Sequence, residues 1–338
     1  EARIRPRYQR NFVPNLVSNV MSGTISNRLG LRGPNLLVDA ACSSALVALD
    51  YSIKLLDAGD CNSMIVGGIQ ASMNVPIYEL FSALNALATN NIAPLSSLAN
   101  GTLLSEGAGF VVIKRLSDAI IDQDKIYAII DGLGIASDGR GTGLLAPNSI
   151  GQVLAINRAY KKSQLNKKDI SLIEAHATGI SHGDNTEIKS LNEAFKEVNL
   201  TRSIALTSVK SLIGHSIPAS GMASLIKLAL CMKNKIMLSG KTSEPSTSLG
   251  DQHSPFYLLK EHSYWESLGE GKERACAMNS FGFGGINGHL ILKEYRSNES
   301  IRYSIQTKDE KKSVIQKTTK GMLIQQSSRS FDLIYILF

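Results

Sequence analysis

Three side chains in this sequence have the types and the settings for nucleophilic chemistry. Cys42 lies in LLVDAACSSALVAL, where an apolar run reads as a strand passing into an amphipathic helix. His176, in IEAHATGISHGD, and His215, in VKSLIGHSIPASG, each sit between an expected strand and an expected helix. A thiol in the first turn of a helix feels unsatisfied N–H groups and the positive end of the dipole, which favour thiolate. An imidazole can donate an N–H to an oxyanion or carry a proton near neutral pH. One thiolate with two imidazoles suits acyl transfer. Taken singly, each residue also has a plainer reading, since cysteines are commonly packing residues and loop histidines commonly solvated. That plainer reading is kept for His182, His253, His262 and His289, the last facing a strand partner after a glycine turn, and for Cys61, Cys231 and Cys276.

The elements that must position these residues follow from periodicity. Leu36–Ala40 predicts a buried strand. Ala45, Leu46, Leu49, Ile53 and Leu56 fall at helical spacing up to Gly59, and Ser63–Gly68 predicts another strand, giving a βαβ unit with Cys42 at the carboxyl end of its first strand. Ser105–Leu116 and Lys125–Gly139 read as strands with glycine turns, and a helix starts at Ser149. Asp184 with Glu187 reads as an N-cap and capping box. Ile204–Val209 predicts a strand that leads through His215 into a helix carrying Met222, Leu225, Ile226, Ala229 and Leu230. CAMNSFGFGGINGHLILKEY reads as strand, turn, strand. The alternation argues an α/β fold.

Composition narrows the class. The chain has 338 residues, 43% hydrophobic and 19% charged, as ordinary globular domains do. Of its net charge of +7, +3 falls in the first ten residues and +3 in 297–338, so the body is near neutral and no nucleic-acid partner is expected. Four cysteines without a C-x-x-C pair, and six histidines without H-E-x-x-H, signal neither a disulfide framework nor a metal site. No apolar run of about 18 residues predicts a membrane span, and FDLIYILF at the end has only eight residues. A cytoplasmic protein is expected.

VDAACSSAL, EAHATGISHGD, SVKSLIGH and NSFGFGGINGHLIL, in this order, closely resemble the signature blocks of β-ketoacyl synthases, members of the thiolase-fold superfamily. The similarity runs from about Asn11 to Tyr295 and looks most like the domains of polyketide or polyunsaturated fatty acid synthases. It implies a layered αβαβα fold of two pseudo-repeated halves. It implies that Cys42 accepts an acyl chain and that His176 and His215 flank an extender thioester carbonyl and promote its decarboxylation. Lys210 matches a lysine that organises the histidines, Phe283 an aromatic gate beside the cysteine, and Thr178 one of two threonines that bond the pantetheine arm. The other threonine is Ile180 here, and Pro218 and Ser220 interrupt a run that is otherwise of small residues.

The implied activity is an acyltransferase reaction, a decarboxylative Claisen condensation in fatty acid or polyketide biosynthesis. No bound cofactor is implied, because substrates ride on the phosphopantetheine of an acyl carrier protein. The implied partners are that carrier, another copy of the chain in a homodimer and further synthase domains. A thiolase would place a second cysteine at the C-terminal glycine turn, where Phe281-Gly282-Phe283-Gly284-Gly285 has none. An inactive fragment or scaffold partner would lose the nucleophile, which Cys42 retains. Residues 1–140 are expected to form the remainder of an N-terminal half, 141–296 the C-terminal half and 297–338 a linker or disordered tail. Only 41 residues precede Cys42, so the first half is expected to be incomplete and the chain to be a fragment that folds poorly alone.

Overall fold

Apolar residues spaced for helices and strands build, in a computed structural model of the protein, two compact units, 1–39 and 40–338. The structure describes residues 17–296, apart from 142, 144, 243, 252–253 and 270, together with the strand Ile334–Leu337. In the first unit α1 (Asn19–Leu29) ends at Gly30, whose φ of 66° is the left-handed turn that stops a helix. The strand expected over Leu36–Ala40 does not form. Leu36 and Leu37 are exposed and the segment joins no ladder. An apolar run is a strand only where another strand pairs with it, so the expected βαβ unit around Cys42 loses its first strand and keeps a turn, the helix and the strand Ser63–Gln70.

The other unit opens with a 3-10 turn, Ala41–Ser43, running into α2 (Ser44–Ala58). Then follow β1 (Ser63–Gln70), α3 (Val75–Ala83), β2 (Gly107–Arg115), α4 (Leu116–Asp122), β3 (Ile129–Ser137), α5 (Ser149–Lys162), β4 (Leu172–Glu174), α6 (Ser181–Ala194), β5 (Ile204–Thr207), α7 (Lys210–Ile213), α8 (Ser220–Asn234), β6 (Ile236–Met237), β7 (Phe256–Leu258), β8 (Ser263–Tyr264), β9 (Ala275–Gly282), β10 (Ile286–Lys293) and β11 (Ile334–Leu337). Nine strands form one mixed sheet in the order β1-β2-β11-β3-β10-β9-β4-β5-β7, and β6 pairs with β8. β4, β5, β7 and β9 run parallel, and the other ladders are antiparallel. The tail expected over 297–338 therefore contains a strand, Ile334–Leu337, seated between β2 and β3. Four apolar residues of strand-forming type suffice where two unpaired strand edges wait for them.

Side-chain alternation divides the core. On β10, Leu290 and Leu292 join Leu46, Leu49 and Leu56 of α2 and Met222, Leu225 and Leu228 of α8, whereas Ile291 joins Ile156 of α5 and Ile188 and Leu191 of α6. Burying each such side chain is worth roughly 1.5–3 kcal/mol. α2 and α8 pack on each other and touch β1 and β2 as well as β9, which is the middle helical layer of the expected αβαβα arrangement. The halves repeat: Cys42 is followed by α2 and the antiparallel pair β1–β2, and His215 by α8 and the antiparallel pair β9–β10.

Candidate active site

Cys42 sits in the 3-10 turn, one residue after Ala41, whose φ of 49° is a left-handed conformation that residues with a Cβ rarely adopt. Hydroxyls hold this bend. Ser44 Oγ donates to Ala41 O at 2.7 Å, Ser43 Oγ to Ser280 O at 2.7 Å, and Ser280 Oγ to Cys42 O at 2.8 Å. Gly282 is required by close approach, because a Cβ there would lie 2.6 Å from Ala40 O. Gly284 and Gly285, with φ of 88° and 79°, make the turn between β9 and β10 that carries Phe283. Its backbone N–H lies near enough to the thiol to favour thiolate, and its ring packs on Phe81 with centroids 5.6 Å apart.

His176 arrives where the sequence placed it, and His215 comes one short helix later than expected. His176 follows β4 and precedes α6, and His215 lies between α7 and α8. Cys42 Sγ is 3.1 Å from His215 Nε2, the two imidazoles stand edge to face at 5.7 Å, and one ligating atom from each of the three residues lies within 4.8 Å of the others. Such a group could hold a soft metal ion, though the positive charge of Lys210 beside it opposes a cation.

Burial sets the protonation states. It pushes the Cys42 thiol up to about 11, and the opposing pull of Lys210 and of backbone N–H groups does not cancel it. The thiolate expected from the helix terminus is thus not the resting form, because desolvation outweighs the dipole. Burial, then the charge of Lys210, holds both His176 and His215 well below the ordinary imidazole value, so both are neutral. Lys210 is itself buried and lowered by desolvation, against the pull of Glu174 and Glu187.

The sequence reading missed the groups that hold the His176 loop. Asp184 is not the N-cap of α6. The helix starts at Ser181, and the Asp184 carboxylate turns back to accept from Thr178 N (3.0 Å), Gly179 N (3.2 Å) and Leu95 N (2.8 Å). Glu187 accepts from His176 N and Ala177 N, both at 2.8 Å, and from Asn279 Nδ2 at 2.7 Å. Asn279 also bonds His289 Nδ1 at 2.6 Å, so His289 does face its strand partner and fixes this network from the far side. The acidic pair in GDNTE was the available signal, read as a cap because D-x-x-E suits either use. Thr178 is buried, its Oγ1 3.5 Å from Ile180 N, and Ile180 packs with Phe283 and Ile217 in an apolar cluster.

Two family models match the chain, "Beta-ketoacyl synthase, N-terminal domain" over residues 2–119 and "Beta-ketoacyl synthase, C-terminal domain" over 127–239. The chain belongs to the β-ketoacyl synthase family. Among curated relatives of this ketosynthase, a polyunsaturated fatty acid synthase chain of Thraustochytrium sp. is 31% identical over 309 residues, 89% of this chain and 11% of the relative. Polyketide synthase PksR of Bacillus subtilis is 36% identical over 302 residues, 84% of this chain and 12% of the relative. The solved ketosynthase from module 6 of the bacillaene synthase of Bacillus subtilis superposes with a TM-score of 0.80 at 30% identity, covering 90% of this chain and 56% of that one. The chain therefore spans about half of the solved ketosynthase and a small part of the synthases. Its fold is that of the polyketide-synthase type of ketosynthase, and β-ketoacyl synthases are acyltransferases.

Proposed function

We propose that this chain carries the condensing site of a polyketide or fatty acid synthase, with Cys42 as the acyl acceptor and His176 and His215 as the groups that act on the extender. The observation that carries this reading is the convergence of Cys42 Sγ with both imidazoles within 4.8 Å. In loading, the Cys42 sulfur attacks the thioester carbon of an acyl group on an acyl carrier protein. The new C–S bond forms, the bond to the pantetheine sulfur breaks, and the thiol proton leaves with the pantetheine thiol. In condensation, a malonyl-type extender loses CO2, and the electron pair of that C–C bond becomes an enolate. Imidazole N–H groups stabilise its oxygen, one such donor being worth roughly 3 kcal/mol. The enolate carbon then attacks the acyl-Cys42 carbonyl, making a C–C bond and releasing the Cys42 sulfur.

Lys210, buried between the carboxylates and the histidines, tunes their charge, and Phe283 gates the thiol. Thr178 bonds the pantetheine arm, with Ile180 giving the arm an apolar contact in place of a hydroxyl. The cofactor chemistry stays on the carrier, whose phosphopantetheine brings the substrate, and no metal takes part. Another copy of the chain and neighbouring synthase domains complete the assembly in the cytoplasm. No helix among the described residues is long and apolar enough to cross a membrane. The test is intact-protein mass spectrometry with an acylated carrier protein: the wild-type chain gains the acyl mass, and Cys42→Ala does not. An adduct on Cys42→Ala would overturn the assignment.

A further inference from the structure

His215 is held from both sides. Its Nε2 faces Cys42 Sγ at 3.1 Å, and its Nδ1 lies 2.7 Å from Ser220 Oγ. Both His215 and Ser220 are almost fully buried. Residues five apart meet here because the 3-10 turn Ile217–Ala219 folds the chain back, with φ of 78° at Gly214 and 42° at Ile217, a conformation that a β-branched residue otherwise avoids. An alanine at 220 would offer Nδ1 nothing.

One arrangement of hydrogens fits both contacts, with the Cys42 thiol donating to His215 Nε2, 3.1 Å away. A neutral ring that accepts at Nε2 carries its hydrogen on Nδ1 and donates to Ser220 Oγ. The Ser220 hydroxyl in turn reaches Ser216 Oγ at 3.4 Å. Nucleophile, base and orienting group thus stand in line, as in hydrolase triads, with a hydroxyl in the third place.

We propose that Ser220 is a positioning residue that completes a Cys42–His215–Ser220 relay, accepting the Nδ1–H of His215 so that Nε2 takes the Cys42 proton during acyl loading. The proposal rests on the reading of Cys42 as the acyl acceptor. In that step the S–H proton passes to Nε2, the sulfur–acyl bond forms, the acyl–pantetheine bond breaks, and the Nε2 proton leaves on the pantetheine sulfur. Because a hydroxyl also donates, the same Ser220 contact suits the other neutral tautomer without moving the ring. That tautomer presents Nε2–H to an extender carbonyl.

The test uses the full chain with 15N-labelled histidine and long-range proton–nitrogen spectra. With Cys42 free, His215 is expected as the Nδ1–H tautomer. An Nε2–H tautomer in that state overturns the proposal, and this arm needs no variant to fold. Ser220→Ala is expected to mix the tautomers and to slow alkylation of Cys42 by iodoacetamide at pH 7 about fivefold, the loss of one hydrogen bond. Ser220→Thr, which keeps the hydroxyl, is expected to restore both. Unchanged tautomer and rate in Ser220→Ala would overturn it. If the wild-type chain takes no acyl group from any carrier protein, the acyl-acceptor reading fails, while tautomer and alkylation still decide the relay.

Discussion

Cys42 shows how two effects of opposite sign are ranked by magnitude. The helix terminus and Lys210 favour thiolate, yet full burial wins and lifts the thiol to about 11 from an ordinary 9.0. A thiolate fraction of about one in ten thousand at pH 7 follows from that separation, so reactivity at neutral pH must come through the proton contact with His215. Iodoacetamide alkylation of Cys42 is therefore expected to keep a finite rate near pH 7 and to go on rising above pH 9 toward 11. His215→Ala is expected to remove the neutral-pH rate and leave only the steep alkaline limb. A plateau at pH 9 in the wild-type chain would show that burial does not control the thiol. His176 has a different position in the chemistry, with no contact to Cys42 as short as that of His215, and its backbone pinned by Glu187. His176→Ala is expected to load an acyl group at near-normal rate and to lose at least about a hundredfold in product release, the worth of one oxyanion donor. Normal product release by that variant would remove His176 from the condensation step.

At the scale of elements, α6 does more for the site than its own hydrogen bonds. Its first turns send Asp184 and Glu187 backwards to collect five backbone N–H groups from the loops that hold His176 and Leu95. Burial raises the Asp184 carboxyl from 3.8 to about 7 in spite of those donors. The folded state thus binds the Asp184 proton more tightly than the unfolded chain does, so its stabilising contribution is complete below about pH 4 and is lost as pH climbs through 7. Asp184→Asn cannot ionise, and the stability advantage of the wild-type chain over it is expected to shrink between about pH 4.5 and 7 in urea unfolding. Growth of that advantage with pH would contradict the raised carboxyl. Asp184→Ala leaves three N–H groups without this acceptor and is expected to cost at least about 2 kcal/mol at pH 6. The contrast with α2 explains what was legible in the sequence. Leu46, Leu49 and Leu56 declare a buried face by spacing alone, as Gly59 declares its end. A carboxylate that folds back on the preceding loop has the same local pattern as a capping box, and only tertiary structure tells them apart. Ser220 was equally hidden, since its contact with His215 depends on a turn through Ile217 that no propensity predicts.

Across the whole molecule, sequence pattern specifies an element where its partners are adjacent in the chain, or its face is unmistakable, and fails to do so where pairing is long-range. The β9–β10 hairpin, with Phe283 and the glycines between, is readable from CAMNSFGFGGINGHLILKEY directly. Leu36–Leu37 and FDLIYILF mislead in opposite directions: the former has the pattern of a strand and joins no ladder, whereas the latter has the pattern of a tail end and holds β11. Short apolar runs carry no information about whether an unpaired edge exists elsewhere to receive them. β11 has a particular place in the sheet. It is antiparallel to β2 on one side and to β3 on the other, and so joins the half that follows Cys42 to the half that ends in the β9–β10 hairpin. β3 stands in the same relation to β10, which makes β11 the counterpart of β3 in the repeat. Ile336 pairs with Ile113 in that ladder. A proline at 336 removes a backbone donor and fixes φ away from the strand value, a change found essentially only at sheet edges or bulges. Ile336→Pro is expected to lower the unfolding midpoint by several degrees and to strip hydrogen-exchange protection from Val111–Ile113 and Ile129–Ile130 while leaving β4 and β5 protected. Protection unchanged across β2 and β3 would mean that the two halves hold together without this strand.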